Sequence, residues 1–114
     1  MLSKENRLKK KKDFGKVLKL GKGFKQKALL LKTAKNDLPQ TRFGFIVSKR
    51  TAKKATDRNK IKRQMREIVR KNIGNIKKGY DVVVIAWPDI KERNFKEKSA
   101  IIEETFKKIN FLEK

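Results

Sequence analysis

The chain has 114 residues with 34 lysines and arginines against 12 carboxylates, enough for one domain with a modest core. It has no cysteine and no histidine, which excludes disulfides, thiol nucleophiles, thiolate zinc sites and imidazole bases. A net charge of +22 exceeds what solubility requires, and its self-repulsion calls for a polyanionic partner: nucleic acid first, an anionic membrane surface second.

In chain order, "MLSKENRLKKKK" lacks the apolar run of a signal peptide. Residues 1–12 are expected to form a mobile basic tail when free. Asp13 is placed to cap a short helix carrying Phe14, Val17 and Leu18 on one face and closed by Gly21. "FKQKALLLKTA" (24–34) reads as a strand, and "KNDLPQT" as a turn around Pro39. In "RFGFIVSK" (42–49), Phe43, Phe45 and Val47 alternate with Gly44, Ile46 and Ser48, the pattern of a strand with a buried face. Thr56 or Asp57 can cap a helix running to about Asn72 and ending near Gly74.

"YDVVVIAW" (80–87) is apolar on both faces, which predicts a central strand stopped by Pro88. Phe95, Ile102, Phe106 and Ile109 predict a final amphipathic helix packed on the sheet. No linker or repeat divides the chain, so residues 1–114 read as a single α+β domain. "DVVVIAW", the longest apolar stretch, is too short to span a bilayer. A soluble cytoplasmic protein is expected.

The charge is concentrated. Residues 1–32 hold twelve basic and two acidic side chains, residues 49–72 eleven and two, and the last 27 seven and six. Five of the eight arginines (Arg50, Arg58, Arg63, Arg66, Arg70) fall within 49–72. Guanidinium grips phosphate through a bidentate fork, whereas ammonium acts as a hydrated point charge.

On a helical projection of "DRNKIKRQMREIVR" (57–70), Ile61, Met65, Ile68 and Val69 fall within an arc of roughly 100°. Arg58, Lys62, Arg66 and Arg70, spaced by four, form a rail beside them, broadened by Asn59 and Arg63, with Lys60 on the far flank. Like charges at this spacing destabilise an isolated helix, and Glu67 is nearly alone in offsetting them. A solvated face is the bland reading of a charge run; this imbalance favours a surface that grips phosphate.

"RNKIKRQMR" closely resembles the Arg-Asn-Arg signature of the bacterial ribonuclease P protein subunit. "NRLKKKKDFGKVLKLGK" resembles that family's first segment, "RFGFIVSKRTAKKATDRNKIKR" its strand leading into the signature helix, and "KGYDVVVIA" the strand that follows. The third signature position is Lys60, which keeps the charge and loses the fork. Leu18 and Lys32 stand where the family often has aromatics.

The resemblance implies an αβββαβα sandwich around a mixed β-sheet, with a left-handed crossover where handedness rules alone favour a right-handed one. It implies an accessory subunit of an endoribonuclease whose catalytic RNA removes the 5′ leader of precursor tRNA, leaving a 5′-phosphomonoester. One protein would serve one RNA subunit. Mg2+ would be carried mainly by RNA and substrate, with no catalytic or metal-ligating side chain in this chain.

Two surfaces are expected. Arg58, Asn59, Lys60, Lys62, Arg63, Arg66 and Arg70 would contact phosphates of the RNA subunit. Phe14, Leu18, Phe43, Lys49, Arg50 and Lys54 would line or rim a leader cleft, combining sequence-tolerant stacking with backbone charge. Phe14, Leu18 and Phe43 also sit at core spacing, so simple burial competes with that role. The rival readings are a structural RNA-binding protein of the ribosomal type and a DNA-binding protein inserting its basic helix into a major groove.

Overall fold

A computed structural model describes residues 2–112. Its elements follow the expected αβββαβα order: α1 (Lys11–Leu20), β1 (Lys22–Lys25), β2 (Leu29–Lys35), β3 (Arg42–Val47), α2 (Ala55–Asn72), β4 (Tyr80–Ala86) and α3 (Phe95–Lys108). The strand expected over 24–34 is a hairpin of two strands, β1 and β2, turning where the Gln26 amide donates to the Leu29 carbonyl. The sheet order is β1-β2-β4-β3, antiparallel except for the parallel pair β3 and β4 joined through α2. The fold is therefore α+β with a mixed sheet.

Helices cover both faces of the sheet, and strand alternation decides which side chain meets which helix. Phe43, Phe45, Val47, Val82, Val84 and Ala86 point into the larger core with α2 and α3. Val83, Ile85, Ile46 and Ala34 point the other way and meet Phe14, Val17 and Leu18 of α1. β4, central and covered on both sides, buries Val82, Val83 and Val84 completely, as its unbroken apolar run requires. The stripe Ile61, Met65, Ile68 and Val69 is buried as the projection predicts. At about 1.5–3 kcal/mol per buried aliphatic side chain, that stripe fixes α2 despite its repelling charges.

Two cap assignments differ from expectation. α1 begins at Lys11, which puts Asp13 in its first turn, where the carboxylate faces Arg42 of β3 at 3.5 Å instead of capping backbone amides. α2 has no side-chain cap and starts after Lys54. Arg42 also forms a bidentate pair with the buried Asp81 at 2.9 and 2.7 Å, and Asn36 donates to the same carboxylate. The Arg42 pKa is raised above its ordinary value, chiefly by the Asp81 hydrogen bond and against the opposing effect of burial. This network ties α1 to the sheet. Asp81→Ala is expected to cost about 2–3 kcal/mol in chemical denaturation, because it strands a half-buried guanidinium.

Parts of the N-terminal segment pack against the domain. Leu2 is 1% exposed and sits in the larger core, and Leu8 is buried beneath α1. Arg7 bridges Phe43 in parallel, the Leu8 amide donates to the Phe43 carbonyl, and Asn6 reaches the Thr41 carbonyl. The segment thus covers the outer edge of β3, a row of backbone groups that would otherwise lie open. No helix among the described residues is long and apolar enough to cross a membrane.

Candidate nucleic-acid interface

The α1 face of the sheet is covered only in part. The tip of the Phe14 ring lies close against Gly44: a Cβ built there would stand 2.3 Å from Phe14 Cζ and 2.5 Å from Cε1. Glycine at this position makes the seat for the ring, which remains half-buried, as does Leu18. Lys32, standing where an aromatic was expected, reaches under α1 and donates to the Leu18 carbonyl at 2.7 Å. It tethers the helix end and offers no stacking surface.

Beyond α1 the same face continues over half-buried Ile46 and Ile85 to a hollow of about 490 Å³ lined by Arg50, Lys27, Ser48 and Trp87. From Gly44 to Ser48 is four residues of strand, roughly 13 Å at ~3.3 Å per residue. Phe14 and Leu18 therefore begin an apolar floor that Arg50 and Trp87 finish. Lys49, Arg50 and Lys54 are exposed on the β3–α2 loop, and Lys54 joins Arg50, Lys53 and Lys91 around an adjoining hollow of about 420 Å³.

The ring of Phe43 is part of the larger core. Phe43 is 2% exposed, and its ring lies 6.1 Å from the Phe106 ring and stacks with Phe45. Alternation sends its ring to the face opposite residue 44, while residue 43 still borders the cavity beside Phe14, Lys62 and Arg66.

The basic helix does not present one uniform rail. Lys62 and Arg66 lean toward β3, where with Arg7 and Lys9 they surround a cavity of about 370 Å³ floored by Phe14, Gly44 and Phe45. Asn59 and Arg63 are exposed. Arg58 turns back toward the preceding loop, where its Nη1 donates to the Ala52 and Lys53 carbonyls at 3.0 and 2.7 Å. Arg70 is clasped by Glu67 at 2.9 and 2.6 Å. That hydrogen bond holds the Glu67 carboxyl below, and the Arg70 guanidinium above, its ordinary pKa. Lys60 stands on the opposite flank, facing α3.

The cavity shared by Phe14, Lys62 and Arg66 joins the two expected surfaces along the outer edge of β3. Arg7, Lys9, Ile46, Ile85 and Trp87 were missed from the sequence. For Ile46 and Ile85 the signal was present, since they alternate with core residues on strands apolar on both sides.

A small α+β domain with cations gathered along one helix, one sheet edge and one loop has the electrostatic footprint of a nucleic-acid-binding module. The comparisons narrow this to one family. The ribonuclease P family profile matches residues 2–110. The "Ribonuclease P protein component" of Alkaliphilus metalliredigens is 38% identical over 96 residues, covering 84% of this chain and 86% of that protein. The structure of the Staphylococcus aureus RNase P protein superposes with a TM-score of 0.87 at 29% identity, covering 94% and 97% of the two chains. The Thermotoga maritima RNase P protein superposes at 0.82 with 33% identity, covering 90% and 96%.

The chain belongs to the ribonuclease P protein component family. It is accordingly an RNA-binding component of a tRNA-processing endoribonuclease and has an RNA subunit as its partner. These matches favour that reading over a ribosomal or DNA-binding protein.

Proposed function

We propose that this chain grips its RNA subunit through Lys62, Arg63, Arg66 and Asn59, with Lys60 on the other flank, and lays the 5′ leader of precursor tRNA along the α1 face of the sheet. Phe14 and Leu18 would supply the first apolar contacts, and Lys49, Arg50 and Lys54 the phosphate contacts beyond. The observation that carries this reading is the Phe14 ring, seated on Gly44 at the seam between the sheet face and the Lys62–Arg66 cavity. A strand held there passes beside the docked RNA, which places substrate and ribozyme together.

Bond cleavage to a 5′-phosphomonoester is assigned to the RNA. No Mg2+ ligand is assigned to this chain. The magnesium of the reaction belongs to RNA and substrate phosphates, and the unit is one protein with one RNA. Arg58 and Arg70 contribute less than the sequence implied, because loop carbonyls and Glu67 already occupy them.

Reconstitution tests the whole reading. Added to a bacterial ribonuclease P RNA at low magnesium, the chain should stimulate precursor cleavage well beyond an equally charged polylysine; stimulation equal to polylysine defeats it. The leader path has its own check. Lys49→Ala with Arg50→Ala should weaken precursor tRNA binding several-fold while sparing mature tRNA, since each lost phosphate contact removes about one counterion's worth of binding. Equal losses on both tRNAs would rule the path out.

A further inference from the structure

The groove between α2 and α3 contains a cation that neither surface uses. Lys98 is 4% exposed, and its Nζ donates to Gln64 Oε1 on α2. No carboxylate pairs with it among the described residues: Asp89 and Glu97 are turned to Arg93, Glu104 to Lys108 and Glu67 to Arg70. Asp57 also lines the groove, without an ion pair to Lys98. Burial first, and then the charge of Lys60, lowers the Lys98 pKa.

An ammonium ion withdrawn from water without a counter-ion is costly. Only one of its three donors is spent on Gln64. The groove it faces has a volume of about 340 Å³, and Lys60, Lys91 and Gln64 line it as well. Lys60 and Lys91 are exposed, so the site is open at its mouth and cationic at its floor. An apolar ligand would leave the Lys98 charge uncompensated, and a second cation would be repelled. A compact anion with several acceptor oxygens satisfies it.

We propose that the α2–α3 groove is a phosphate seat, in which Lys98 and Lys60 hold one phosphate and Gln64 fixes Lys98 beneath it. A backbone phosphate of bound RNA and free inorganic phosphate share this chemistry. The RNA source rests on the docking reading above; the seat itself does not. With it, α2 would be held by phosphate on both flanks, Lys62 and Arg66 on one and Lys60 on the other, which gives the signature helix a grip across its width.

The test follows the Lys98 Cε–Hε resonance, identified by its loss in Lys98→Met, while inorganic phosphate replaces chloride at constant ionic strength. A saturable shift is expected, and Lys60→Ala should weaken the apparent affinity on the order of five-fold, the effect of one charge at about 4 Å in water. Lys60 is exposed, so this variant keeps its fold, and Lys98→Arg, which retains the charge, identifies the resonance by its loss where Lys98→Met does not fold. An unmoved Lys98 resonance overturns the seat. On adding ribonuclease P RNA the resonance should shift to a position that phosphate no longer changes. If RNA binds and the resonance still answers to phosphate, the RNA source is overturned while the seat stands. Failure of RNA to bind at all would count against the docking reading alone.

Discussion

Gly44→Ala should lower affinity for precursor tRNA by roughly 5- to 150-fold while leaving RNA-subunit affinity within about twofold. The range is the ~1–3 kcal/mol of one base stacked on one aromatic side chain. No positive φ is involved at Gly44, so alanine is acceptable to the backbone. The difficulty lies above it, where the new methyl would stand 2.3 Å from the Phe14 ring. That ring is the far end of a side chain on α1, so it moves before the sheet does. Overpacking of this size costs about 1–3 kcal/mol of stability.

Phe14→Ala provides the control, since it removes the ring without adding a clash. Were Phe14 only a brick in the smaller core, both variants would lose stability and bind precursor and mature tRNA in an unchanged ratio. As a stacking surface, its displacement and its deletion lower that ratio alike. Fluorescence titrations with the two tRNAs, alongside denaturation curves, separate the outcomes. An unchanged ratio in both variants removes Phe14 from the leader path.

The features legible in the sequence are those that need only one element's geometry. Ile61, Met65, Ile68 and Val69 declare their buried face through helical spacing, and Val82 to Val84 declare a central strand by being apolar on both sides. Alternation in β3 separates Phe43 from Gly44, but it does not say which face carries the main core. Burial and a cleft role therefore both stayed open for Phe43, and its contacts with Phe106 and Phe45 put the ring in the main core. Leu2 and Leu8 lie among lysines and show no period, and their burial depends on the open edge of β3, a tertiary fact.

The same holds for Arg58. Its charge reads as free because the Ala52 and Lys53 carbonyls that take it belong to a loop with no pattern. Lys98 is the instructive omission. It stands three residues after Phe95 and four before Ile102, within the buried stripe of α3, so the sequence placed a lysine at a core position. That conflict between residue type and position was the available signal.

The unequal surroundings of the rail's arginines lead to the second large effect. Lys62→Ala with Arg66→Ala should reduce RNA-subunit affinity about 100-fold near physiological salt and flatten the plot of log affinity against log salt by about two units, one per lost phosphate contact. Arg63→Ala, on the exposed face, should flatten it by about one. Arg58→Ala should behave differently: its Nη1 already serves two carbonyls, so the loss falls on stability and loop order more than on the slope. Glu67→Gln should act in the opposite sense, releasing Arg70 from a bidentate clasp and raising affinity. A uniform polycationic surface would respond to each lost charge alike, whatever its neighbours. Filter binding across a salt series reads all four variants. Equal slopes for Arg58→Ala and Arg63→Ala, or an unmoved slope for the Lys62 and Arg66 pair, would show that the cavity beside β3 is not where the RNA phosphates lie.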